Sequence, residues 1–145
     1  MDLLLLAEDD AKVERILSQY SYGTVHKSEN VAPYVSDLAP YGNIDVIYAF
    51  RDISRSMLER SVAKEILADL TIRVLIPEDI IGLKVQALVN DPKREARDNA
   101  DITALVNAQV TRDEQIDWEL LQDYYELFER SDAFGRLREK YDKTQ

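Results

Sequence analysis

The stretch Gly42-Asn43-Ile44-Asp45-Val46-Ile47-Tyr48-Ala49-Phe50 leaves this chain the least freedom. Gly-Asn closes a turn, and the apolar run behind it reads as a strand buried on both faces. Side chains alternate along a strand, so Asp45 shares a face with Ile47 and Ala49, while Ile44, Val46, Tyr48 and Phe50 take the other. An ionised carboxylate on a buried strand is costly unless it is paired, hydrogen-bonded or bound to a metal. Met1-Asp2-Leu3-Leu4-Leu5-Leu6-Ala7 repeats the pattern: one Asp, then a strand too apolar for a sheet edge. Two such strands side by side bring two carboxylates together, and divalent metals bind at such places.

At 145 residues the chain has room for one domain with its own core and too little for two ordinary ones. Hydrophobic residues are 46% and charged residues 32%, which is globular and not disordered. The absence of cysteine excludes disulfides and thiolate zinc sites and is compatible with a reducing cytoplasm. A single histidine argues against a histidine-built zinc site. No apolar run approaches the roughly 20 residues that span a bilayer, and Met1-Asp2-Leu3 has no basic stretch of a signal peptide. The net charge of −10, from 28 acids and 18 bases, disfavours loose charge-driven binding to nucleic acid. It leaves room for a local basic site, or for a nucleotide that arrives with Mg²⁺.

Taken in order, Leu3 to Ala7 reads as a strand. Asp9 or Asp10 then caps a helix with Val13, Ile16, Leu17 and Tyr20 on one face, closed by Gly23. Thr24 to Lys27 and Tyr34 to Leu38 are weaker strands, with a turn near Glu29 to Pro33. Ala39-Pro40-Tyr41-Gly42 turns the chain, so that about Val35 to Phe50 forms a hairpin. Asp52 or Ser54 starts a helix with a stripe of Met57, Leu58, Val62, Ile66 and Leu67. Thr71 to Leu75 is a short strand. Pro77 fits the first turn of a helix to about Asn90, with Glu78 and Asp79 at its positive end. Ile80, Leu83, Lys84, Ala87 and Leu88 line one side of it, so Lys84 projects from the apolar face. A helix from about Arg94 to Gln109 carries Ile102, Leu105 and Val106 inward, with Asp98 and Asp101 on or beside that face. Thr111-Arg112-Asp113-Glu114 reads as a capping box for a helix holding Trp118, Leu121, Tyr125 and Phe128. Ser131 or Asp132 restarts a last short helix with Phe134, Leu137 and Tyr141, and Lys143 to Gln145 frays. There is no internal repeat. The order predicts an α+β fold: a small mixed sheet with packed helices, about 1–76, followed by a helical C-terminal part, 77–145, of the same domain.

The segments Met1-Asp2-Leu3-Leu4-Leu5, Asn43-Ile44-Asp45-Val46-Ile47, Ile76-Pro77-Glu78-Asp79-Ile80-Ile81-Gly82-Leu83-Lys84 and Arg97-Asp98-Asn99-Ala100-Asp101-Ile102 follow in one order. Over about Asp2 to Leu105 this resembles the polymerase-β-like nucleotidyltransferases, in the small bacterial branch related to the abortive-infection nucleotidyltransferase toxins. The resemblance implies transfer of a nucleoside monophosphate from a nucleotide triphosphate to a hydroxyl. It also implies a divalent metal, Mg²⁺ or Mn²⁺, held by a paired Asp-x-Asp and a later single Asp. Asp2 matches the second of the pair and Asp45 the single one. Lys84 meets the triphosphate, with Arg97, Asp98 and Asp101 in a helix-borne polar cluster around it. The acceptor is left open among tRNA, protein and a small molecule. The family's upstream Gly/Ser-rich phosphate loop and first Asp have no counterpart after Met1. The expectation is therefore a chain cut or started at an internal methionine, and catalytically weak or dead.

Each of these residues has a plainer reading. Asp45 is then a strand carboxylate satisfied by a turn N–H or an Arg, and Asp2 part of a frayed terminus. Lys84 snorkels to water. Arg94–Asp98 and Arg97–Asp101 are ordinary i,i+4 pairs worth at most a few tenths of a kcal/mol. Lys93, Arg94 and Arg97 form a solvated face, or else receive an RNA acceptor. His26 is a surface residue. Trp118, Tyr124, Tyr125 and Phe128 are core or a dimer seam. The alternative function is a non-catalytic interaction protein, associating with itself through an exposed sheet edge and the aromatic helix.

Overall fold

The computed structural model describes residues 1–38, 41–49 and 51–142. Strand β1 (Asp2–Leu6) runs parallel to β4 (Ile44–Ala49), which is antiparallel to β3 (Val31–Ser36) on its other side; β2 (Tyr22–Thr24) closes the order β1-β4-β3-β2. A parallel neighbour needs a crossover, and helix α1 (Asp10–Gln19) begins it after a single 3-10 turn. Leu3 and Leu5 pair with Val46 and Tyr48, and the four pack with Val13, Leu17, Ala32, Tyr34 and Ile44 into one core. Asp10 fastens this arrangement, accepting hydrogen bonds from Tyr48 and Lys27. Pro33 is tolerated inside β3 because it lies one residue beyond the last pair made by β2, Thr24 with Tyr34.

After α2 (Asp52–Arg60), β5 (Val62–Leu67) and β6 (Leu70–Val74) form a separate two-stranded sheet. Four helices follow: α3 (Pro77–Asn90), α4 (Glu95–Thr111), α5 (Trp118–Leu127) and α6 (Ser131–Asp142). Their core is Ile81, Val85 and Leu88 of α3, Ile102 and Val106 of α4, and Leu121 and Tyr125 of α5, with Phe134, Leu137 and Tyr141 of α6 packed against it. The fold is α+β, as the order of segments predicts. The chain divides into two compact units, Met1–Ala63 and Lys64–Gln145, each with its own hydrophobic core.

Several local expectations are corrected. Ile16 and Tyr20 are exposed, and Leu17 is the one buried residue of α1. Gly23 lies in β2; the chain reverses at Ser21, which takes a positive φ of 61°. Val62, Ile66 and Leu67 are not helical: α2 stops at Arg60 and these residues form β5, whose turn into β6 places Asp69 at φ 67°. The buried residues of α3 are Glu78, Asp79, Ile81, Gly82, Val85 and Leu88; of the predicted stripe Leu88 is among them, while Ile80, Leu83, Lys84 and Ala87 are half-buried. Thr111 caps nothing; its hydroxyl donates to the Asn107 carbonyl at 2.8 Å, and Asp117 caps α5 by accepting from the Leu120 N–H at 3.0 Å. β1 is an outer strand of its sheet among the described residues, and Leu3 to Leu6 are half-buried there. The expectations for Ala39, Pro40, Phe50 and Lys143 to Gln145 lie outside the described residues.

Candidate active site

Asp2 and Asp45 are register partners on the parallel pair β1 and β4. Partners across a ladder share a face, and alternation puts this one opposite the Val46 and Tyr48 face that packs with α1. The backbone fixes the pairing: the Asp45 N–H donates to the Met1 carbonyl at 2.9 Å, and the Met1 ammonium donates to the Asn43 carbonyl at 2.9 Å. The sheet therefore brings these two predicted carboxylates together. Both residues are exposed, so the desolvation cost expected for Asp45 on a doubly buried strand is not incurred.

Among the described residues no three His, Cys, Asp or Glu side chains gather as a metal cage. Two water-exposed carboxylates on one face suit a different ion. Mg²⁺ takes oxygen ligands, keeps several waters, and is held by one or two carboxylates plus substrate phosphates. The donor set fits Mg²⁺ in that partial way and does not fit Zn²⁺, which prefers nitrogen and sulfur.

In the helical unit, α3 and α4 bring Lys84, Asp98 and Asp101 together. The Lys84 ammonium donates to Asp101 at 2.6 Å and lies 3.5 Å from Asp98. Asp98 is fully buried, and its second oxygen accepts from Arg94 Nε at 3.1 Å. A buried carboxylate needs this double pairing. Lys84 thus leans inward between two carboxylates one turn apart, and does not simply snorkel. The hydrogen bond from Lys84 holds the Asp101 carboxyl below the usual carboxylate range, with the charges of Lys84, Arg97 and Arg94 adding to the effect. Arg94–Asp98 is a true i,i+4 pair, whereas Asp101 bonds Lys84 rather than Arg97. Arg97, like Lys93 and Arg94, is exposed. The cluster holds the Lys84 ammonium in a set position between two carboxylates.

Sequence reasoning missed the groups that hold α3 in place. Glu78 is buried and accepts from Gln109 Nε2 at 2.9 Å and from the Asp117 N–H at 3.1 Å. Asp79, fully buried, accepts from the Tyr124 hydroxyl at 2.5 Å. Acids in a helix's first turn read as dipole complements, and no spacing in the sequence reveals partners 31 to 45 residues away. Asp10 was likewise legible only as a cap. Tyr124 and Tyr125 are buried, as the core reading expects, and Trp118 and Phe128 are half-buried against the helical core.

No curated protein matches the chain in sequence. The family described as "Nucleotidyl transferase AbiEii toxin, Type IV TA system" matches it over residues 6–143, a span that includes Asp45, Lys84, Asp98 and Asp101 and begins after Asp2. That span is nearly the whole chain, and the chain belongs to this nucleotidyltransferase toxin family.

Proposed function

We propose that this chain carries the site of a metal-dependent nucleotidyltransferase, which moves a nucleoside monophosphate from a nucleotide triphosphate to a hydroxyl acceptor. The observation that supports it most is the register of Asp2 with Asp45 on one sheet face, in a chain of the nucleotidyltransferase family. In this reading Asp2 and Asp45 hold Mg²⁺ or Mn²⁺. A divalent ion there supplies charge stabilisation for the phosphate oxygens. Asp45 also accepts the proton of the acceptor hydroxyl. Lys84 binds the triphosphate as a point charge. Asp98 and Asp101 set its position, and Arg97 adds positive potential beside Asp101.

The test is calorimetric titration of each nucleotide triphosphate with and without Mg²⁺. Binding is expected to need the metal and to weaken at least tenfold in Asp45→Asn and in Lys84→Ala, a loss of about 1.4 kcal/mol or more. Equal affinity in both variants would overturn the assignment. The family description adds toxicity and an antitoxin to the proposal. Induced expression should then arrest growth, and Asp45→Asn should relieve the arrest.

A further inference from the structure

The β5–β6 sheet pairs with no other strand among the described residues. Every residue of β5 is exposed, as are the first four of β6. Five large apolar side chains stand in water there: Val62, Ile66, Leu67, Leu70 and Ile72, each at least 40% exposed. An isolated two-stranded hairpin is marginal in water, and an apolar edge is a template for another strand. The hairpin's formal charges cancel, Lys64 and Arg73 against Glu65 and Asp69, in a chain of net charge −10. A second acidic copy therefore meets little repulsion at this place.

We propose that β6 pairs antiparallel with β6 of a second copy of this chain, joining two hairpins into one four-stranded sheet about a two-fold axis. Symmetry decides which strand does so. A two-fold axis relating antiparallel strands of one sheet stands perpendicular to it and leaves every side chain on its own face. Paired residues share a face, so the residue on the axis must meet its own copy. Centring β5 on the axis sets Lys64 against Lys64 or Glu65 against Glu65, and like charges directly opposite are unfavourable. Centring β6 sets Ile72 against Ile72, Leu70 against Val74 and Thr71 against Arg73. No like charges meet. Leu70, Ile72 and Val74 share one face by alternation, so the two copies supply a continuous apolar strip. This association does not depend on the transferase reading.

The chain has no cysteine, so one substitution reads the axis directly. Ile72→Cys is expected to give a disulfide-linked dimer under a mild oxidant, because each thiol faces its own copy. Ile66→Cys, on the exposed β5, is expected to stay mostly monomeric under the same treatment. In sedimentation, the parent should show a dimer that tightens as salt screens the net charge. Ile72→Lys should sediment as a monomer with an unchanged circular dichroism spectrum, and Ile66→Lys should still dimerise. A parent that stays monomeric at the highest attainable concentration would overturn the proposal. So would equal cross-linking at the two positions, or protection of the hairpin only when a different protein is added.

Discussion

Asp10 shows how one residue ties a helix to a sheet. It stands at the first position of α1, yet its carboxylate bonds the hydroxyl of Tyr48 on β4 and the ammonium of Lys27, which also reaches Glu14 at 3.3 Å. Lys27 first and then Tyr48 hold the Asp10 carboxyl below its ordinary range, and Asp10 in turn holds Lys27 above its own. Burial first, and then Asp10, push the Tyr48 hydroxyl up, so it stays a donor throughout the neutral range. A carboxyl whose pKa is lowered by folding stabilises the fold fully above the ordinary carboxylate range. That contribution is lost as the pH falls through the lowered value. A lysine whose pKa is raised contributes fully below its ordinary value and loses that contribution only as alkali titrates through the raised one. Asp10→Asn should therefore be less stable than the parent at about pH 7, and the gap should close progressively below about pH 5. Urea midpoints measured across that range check it. A gap that stays constant down to the acid limit would assign the effect to lost packing rather than to charge.

At the scale of elements, Gly82 sets how closely α3 and α5 approach. A Cβ at this position would lie 2.8 Å from ring atoms of Tyr124, itself buried and bonded to Asp79. Two effects of Gly82→Ala oppose each other. Helix propensity gains about 1 kcal/mol, and overpacking against a ring held in place costs about 1–3 kcal/mol. The second should win, giving a net loss of about 1 kcal/mol in denaturation followed by Trp118 fluorescence. In a Tyr124→Ala background, where the obstacle is gone, the same substitution should become neutral or stabilising. The contrast between Gly82 and the β5–β6 hairpin shows what was legible. Helix α3 was readable from Pro77, its acids and its apolar spacing, but its buried residues, Leu88 apart, were not. Ile80 and Leu83 look like core, while Glu78 and Gly82 face inward because Gln109 and Tyr124 wait for them. Val62, Ile66 and Leu67 fell on a helical period by coincidence, and neither a glycine nor a proline marked the end of α2 at Arg60. The carboxylate pair was legible because strand alternation and parallel pairing are nearly geometric rules; Asp2 and Asp45 needed only β1 beside β4. Lys84 was legible as a charge out of place. Its two carboxylates were found because they sit on successive turns of one helix.

At the scale of the whole molecule, charge is the property that composition fixes outright. The 28 acids exceed the 18 bases by ten. Two unit charges about 20 Å apart in water repel by roughly 0.2 kcal/mol, and ten surplus charges form several dozen such pairs, fewer of them close in the unfolded chain. The ion pairs act in the other direction but weakly. Lys27–Glu14, Arg55–Glu8 and Arg130–Glu95 join side chains that are all about one-third exposed or more. Such surface pairs contribute roughly 0–1 kcal/mol each. Asp98, fully buried between Arg94 and Lys84, is poorly reached by salt. Screening should thus remove more repulsion than attraction. Raising sodium chloride from about 0.01 M to about 0.15 M shortens the Debye length from about 30 Å to about 8 Å. The Tm at neutral pH should rise across that range. Near the isoelectric point of about 4.6 the surplus vanishes. There only the ion pairs are left to screen, and the same salt should leave the Tm unchanged or lower it slightly. A Tm that falls with salt at neutral pH would mean that these pairs, and not the net charge, dominate the electrostatics of the fold.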